Sequence, residues 1–181
     1  MNNVFSKSVR ALIGVAIVLG LAACGKAEQE LGALEPVAFH ASDECHVCGM
    51  VITRFPGPKG QAVAPTKTRK FCSTAEMLGW WLQPENQNLG AKLYVHDMGR
   101  SDWNSPDDEH LIDATSAWYV AGTGLKGAMG VVLATFSEEQ AARALADEHN
   151  GRVLRFEQID QALLQQRATN RAAGEAAHPG H

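Results

Sequence analysis

The chain has 181 residues, 45% hydrophobic and 20% charged, with four cysteines and a formal net charge of −4. An acidic balance of this kind lacks the basic footprint of a nucleic-acid binder. Neither His-Glu-x-x-His nor Gly-x-Ser-x-Gly occurs, so nothing points to hydrolysis, and the chain reads as a binding protein and not an enzyme.

Lys7 and Arg10 precede an apolar run over residues 11–23, which is shorter than the roughly 20 residues a bilayer span needs. A basic start, a short apolar stretch and small residues at its end describe a signal peptide over 1–23. The mature chain is then two charges more negative. Leu21-Ala-Ala-Cys24 resembles the lipobox of bacterial lipoproteins, which implies acylation of Cys24 and stable anchoring in a lipid membrane on the periplasmic side. Gly25 stands where inner-membrane lipoproteins usually carry Asp, which favours the outer membrane. Residues 24–37, rich in Glu, Gln and Gly, read as a lipidated, flexible tether.

From residue 38 the chain gives the same order of elements twice, which predicts an α+β fold of two similar ββαβ units packed together. The first unit covers 38–98. Extended segments are expected over 48–52 and 61–71. Ser73-Thr-Ala-Glu76 is a capping box opening a helix with Met77, Trp80 and Trp81, and Lys92-Leu-Tyr-Val-His96 is a strand. Residues 99–113 read as a connecting loop. The second unit covers 114–164, with strands at 117–121, 131–136 and 151–156. Its helix starts at the capping box Ser137-Glu-Glu-Gln140 and is stopped by Asn150-Gly151. Residues 165–181 have little apolar content and read as a disordered tail. A cleft between the two units is the expected ligand site.

Cys45-His-Val-Cys48-Gly-Met50 concentrates soft donors. With Cys24 lipidated, Cys45, Cys48 and Cys72 remain, an odd number that leaves one thiol free, paired between chains or metal-bound. On an extended segment Cys48 and Met50 share a face, and thiolate with thioether selects copper(I). His96 and Met98 are also two apart, and Met129 sits in a glycine-flanked turn. Met77 is read as core, and His40, His46 and His110 as solvated. His178 and His181 on the tail are a weak metal signal. Cys72 is either a third ligand or a small buried residue. Three other readings compete for Cys45 and Cys48: a structural disulfide, a periplasmic thiol–disulfide exchange pair, and part of a structural zinc site.

Cys45-x-x-Cys-Gly-Met50, Lys70-Phe-Cys-Ser73, Tyr94-Val-His-Asp-Met98, Ile112-Asp-Ala114, Ala117-Trp-Tyr-Val120, Gly127-Ala-Met-Gly130 and Val153-Leu-Arg-Phe156 follow one another as in the NosL family, the nitrous oxide reductase accessory lipoproteins. The resemblance runs from about Phe39 to Ile159. It implies a copper(I) chaperone for the catalytic copper centre of nitrous oxide reductase, with a paired ββαβ fold. The implied partners are the reductase apo-enzyme and its ABC transporter-type maturation complex. Carried over residue by residue, it implies Cys48, Met50 and Met129 as copper donors, with Cys45, His96 and Met98 as further candidates.

Overall fold

A computed structural model describes residues 34–128 and 130–166. The leader, the lipidation candidate Cys24, most of the tether, Met129, and the segment beyond 166 with His178 and His181 lie outside the described residues.

The first sheet is built on a hairpin. β1 (Gly60–Val63) and β2 (Thr68–Phe71) pair antiparallel with Gly60 opposite Phe71. The sequence reading treats residues 61–71 as one extended stretch, but Pro65 has no N–H to continue a ladder. The chain reverses there, with Ala64 and Lys67 exchanging backbone hydrogen bonds. α1 (Thr74–Trp81) follows, and the Ser73 side chain accepts from the Glu76 N–H at 3.1 Å, as its capping box predicts. Leu82 closes α1, and Pro84 opens the short α2 (Pro84–Gln87), where its fixed φ is welcome. β3 (Lys92–His96) returns beside β1.

The segment read as a plain connecting loop holds a further strand, β4 (Leu111–Asp113), which pairs with β3 and completes the order β2-β1-β3-β4. Three residues ending in Asp carry too little alternation to announce a strand.

The second sheet repeats the plan. β5 (Trp118–Ala121), β6 (Leu133–Phe136), α3 (Glu139–His149) and β7 (Arg152–Arg155) give the order β6-β5-β7. In both units the first strand is central and is flanked by the second and third, so the duplication extends to topology. Asn150 stops α3 in the left-handed conformation, φ 52°, as its Asn-Gly pair predicts. The Ser137 cap is not realised. Glu138 occupies the N-cap without a side-chain bond, because the Ser137 hydroxyl instead donates to buried Asp97 Oδ2 at 2.6 Å.

The two units share one core. Phe71, Met77 and Leu78 from the first unit and Tyr119, Leu133 and Leu154 from the second belong to a single buried cluster. Each such side chain stabilises the fold by about 1.5–3 kcal/mol. The seam is also hydrogen-bonded: Thr135 Oγ1 donates to the His96 carbonyl at 2.6 Å, and the Met98 N–H donates to the Thr135 carbonyl at 2.7 Å. A final helical stretch over 161–166 lies over α1, with the Gln161 amide donating to the Gly79 carbonyl. At the other end Leu34 and Val37 are tied to the first sheet through Tyr94 and Gln61.

Candidate metal centre

Residues 45–50 do not form the extended strand expected over 48–52. They fold into a knuckle: the Gly49 N–H returns to the Cys45 carbonyl at 2.9 Å, and the Cys45 N–H donates to the Met50 carbonyl at 2.8 Å. Gly49 makes the return at φ 71°, a conformation that costs an L side chain about 1–2 kcal/mol. Val51 then makes a single bridge to Glu44, and Ile52–Arg54 form one 3-10 turn. The His46 N–H donates to the Lys70 carbonyl, which docks the knuckle on the outer edge of β2.

That docking brings in a third cysteine. Cys72 ends the hairpin just before the Ser73 cap, and its sulfur lies 3.6 Å from that of Cys48. The sulfurs of Cys45, Cys48 and Cys72 all fall within 4.8 Å of one another, and none is in a disulfide. An equilateral triangle with edges of 3.6–4.8 Å has its centre about 2.1–2.8 Å from each corner, which brackets the ~2.3 Å of a zinc–thiolate bond. One soft ion therefore fits between the three with small side-chain adjustment. Among the described residues no fourth His, Cys or carboxylate joins them, one donor short of a closed zinc site.

The metal-free trio holds its charge unevenly. The neighbouring Cys72 side chain draws the Cys45 pKa down to about 4 against the opposing effect of burial, helped by the backbone of Cys48, Cys72 and Val47. Cys72, hydrogen-bonded to Cys45 and buried, is pushed far up. Burial also raises Cys48. Negative charge is thus favoured on Cys45 and disfavoured on Cys48 and Cys72. A cation stands near: the β1–β2 ladder ends at Gly60 opposite Phe71, Lys59 and Cys72 are the next residues along, and the two interact electrostatically. The Lys59 ammonium is buried and donates to the carbonyls of Phe55, Pro56 and Gly57 at 2.6–3.2 Å. Its burial draws its pKa down to about 8, opposed by the Cys72 sulfur.

The other candidates separate. Met50 is half-buried and packs against the same core as Cys48, and so do Ala128 and Val131, on either side of position 129. His96 stands elsewhere, 1% exposed, with both ring nitrogens engaged. Nδ1 accepts from the Lys59 N–H at 3.1 Å, and Nε2 pairs with Asp108 Oδ1 at 2.9 Å, an assignment that makes the ring neutral. Met98 does not share a strand face with it, because β3 ends at His96, and the Met98 side chain packs with the second core cluster. Cys45 and Cys48 do not precede a helix, unlike a thioredoxin-type pair. Sequence reasoning left Cys72 open and passed over Lys59. The odd cysteine count was a signal for the first, and no local pattern marks the second.

The mouth of the site is apolar and cationic. Val47 is 53% exposed, His46 lies edge-on to Phe71 and Trp80, and Arg69 sits over the Trp80 ring at 5.3 Å. A groove of about 400 Å³ runs from Val47 past Glu76 and Trp80 to Leu164.

Comparison with known proteins gives one consistent result. The model of the NosL family matches residues 36–164. A copper-binding lipoprotein NosL of Stutzerimonas stutzeri is 62% identical over the full length of both chains. Another, of Achromobacter cycloclastes, is 31% identical over 66% of this chain and 64% of its own. The crystal structure of the copper chaperone NosL from Shewanella denitrificans superposes with a TM-score of 0.68 at 42% identity, covering 71% of this chain and 97% of that one.

Proposed function

The chain belongs to the NosL family, and from that membership and the sulfur cluster we propose that it is a lipid-anchored copper(I) carrier of the periplasm. The observation that carries the reading is the convergence of three reduced sulfurs, from a knuckle and a hairpin, within 4.8 Å. Thiolate sulfur selects copper(I) over harder ions. Cys45 offers a thiolate already charged, and Cys48 and Cys72 bind by releasing protons, so uptake is linked to pH. Met50, and Met129 beyond the described residues, complete the candidate donor set as thioethers that add no charge. The nearby Lys59 ammonium offsets part of the negative charge of a copper–thiolate centre.

Delivery by ligand exchange starts at Cys48, the least buried of the three sulfur residues. An incoming thiolate, thioether or imidazole meets copper there while Cys45 and Cys72 still hold it. The recipient assigned is nitrous oxide reductase during assembly of its catalytic copper centre, with the ABC transporter-type maturation complex as the docking partner. Cys24 anchors the chain to the membrane, with the outer membrane favoured. The test is an anaerobic copper(I) titration of the reduced protein against a calibrated copper(I) chelator. One tight equivalent, weakened in Cys48→Ser and Cys72→Ser, supports the reading. No competition with the chelator would overturn it.

A further inference from the structure

Resting on the reading of the trio as a copper(I) site, we propose that its metal-free form is a redox substrate. A disulfide oxidant closes Cys48 onto Cys72, and a dithiol reductant must reopen that pair before copper enters.

The geometry selects both the entry sulfur and its partner. Cys45 and Cys72 are 3% and 0% exposed, whereas Cys48 is half-buried at the lip of the knuckle. An outside disulfide therefore reaches Cys48 first. The second sulfur within reach is Cys72, at 3.6 Å. A disulfide needs about 2.0 Å, so rotation at the Cys48 side chain has little distance to close. Cys45 is the poorer partner. The sulfur that Cys48 touches is that of Cys72, while the Cys45 backbone is tied into the knuckle at both its carbonyl and its N–H, by Gly49 and Met50.

The steps balance with a small disulfide RSSR as oxidant. Cys48 gives up its proton and attacks RSSR as the thiolate, forming a mixed disulfide, and the departing RS− takes up that proton as RSH. Cys72 attacks the Cys48 sulfur as its thiolate, forming the internal disulfide, and the second RS− leaves with the Cys72 proton as RSH. Two protein thiols are oxidised and one disulfide is reduced, with both thiol protons leaving on RSH. Reopening is the reverse, with a dithiol donor that ends as its own disulfide. The closed form keeps a single free sulfur, Cys45, and has lost two of three sulfur donors. Copper loading is thereby gated by reduction. A dithiol–disulfide reductase is the class of partner this requires, distinct from any protein that supplies or accepts the metal.

The test uses the full chain in detergent, metal-free, treated with oxidised glutathione. Its non-reducing digest is read by mass spectrometry, with the Cys24 peptide followed separately. The expected result is loss of two hydrogen atoms in a peptide joining Cys48 to Cys72, with a transient glutathionyl adduct on Cys48. Cys45→Ser gives the same link, and Cys48→Ala gives neither adduct nor link. Dithiothreitol restores the copper equivalent that closure abolishes, and copper-loaded protein reacts at least tenfold more slowly. A Cys45-to-Cys48 link, or a stable adduct on Cys48 without closure, would overturn the proposal. The closure assay contains no copper. Closure in a reduced chain that never competes for copper would therefore sink the copper reading alone, and copper uptake without closure would sink this one.

Discussion

The sulfurs of Cys48 and Cys72 lie 3.6 Å apart across 24 residues of chain. Two backbone features make that contact. The β1–β2 hairpin carries Cys72 to the start of α1, and the left-handed turn at Gly49 sends Cys48 back over it. Both features are made by backbone pairing and a single turn, which predicts a site formed before cargo arrives. A preformed site avoids the ordering cost a flexible Cys-x-x-Cys loop would incur on binding.

Cys72→Ser should lower copper(I) affinity at least tenfold, equivalent to about 1.4 kcal/mol. A buried serine oxygen is a hard donor and a poor substitute for thiolate. Thermal unfolding of the metal-free variant, followed in parallel, should show only a modest change, since the two side chains are close in size. Unchanged affinity in chelator competition would make Cys72 a packing residue.

The metal-free protein should show one thiolate by ultraviolet absorbance near 240 nm over a wide pH range. The Cys45 thiol is drawn from 9.0 down to about 4, chiefly by the hydrogen bond from Cys72, while Cys48 and Cys72 are raised. The sign is therefore that absorbance for one equivalent persists at pH 6 and disappears on acidification through pH 4. Cys45→Ser should abolish it. A trio that is silent at pH 6 and ionises only near 9 would contradict the assignment of the charge.

Stability should fall on mild acidification because of His96. Its Nδ1 accepts a backbone N–H inside the sheet, so a proton there removes a hydrogen bond and places a charge in the core. Burial lowers its folded-state pKa below 6.5, only partly offset by Asp108. The unfolded chain then binds the extra proton first. Stability is full above the unfolded value near 6.5 and is lost as pH falls through the folded value. Urea unfolding at pH 7.5 and pH 5 should show this loss, and His96→Gln should reduce the difference.

Much of the fold is legible because each unit carries its own punctuation. Ser73 caps a helix, Asn150 ends one, and the apolar runs at 92–96 and 118–121 are strands. The misreadings share a cause. Gly49-Met-Val-Ile has the composition of a strand, yet one positive φ at Gly49 turns it into a knuckle. Ser137 has the form of a cap, yet the buried carboxylate of Asp97, 40 residues away, takes its hydroxyl. His96 has the spacing of a ligand beside Met98, yet Lys59 and Asp108 engage both of its nitrogens. At the sulfur cluster the local motif points to Cys45 and Cys48. The arrival of Cys72 is a tertiary event, and no window of sequence around it contains the knuckle it meets.

Gly49→Ala should separate the stability of the knuckle from its affinity for metal. A Cβ on Gly49 meets no atom within 4 Å, so the substitution brings no clash. Its cost is conformational: at φ 71° alanine is disfavoured by about 1–2 kcal/mol. The folded protein has that cost with or without copper if the knuckle keeps its shape on binding, so the two states shift together. Denaturant unfolding of the metal-free variant should then show a loss of about 1–2 kcal/mol. Copper(I) affinity by chelator competition should change by less than about threefold, since only a difference between bound and free states enters a binding constant. An affinity loss of tenfold or more would mean that Gly49 changes conformation as copper enters, and that metal assembles the site.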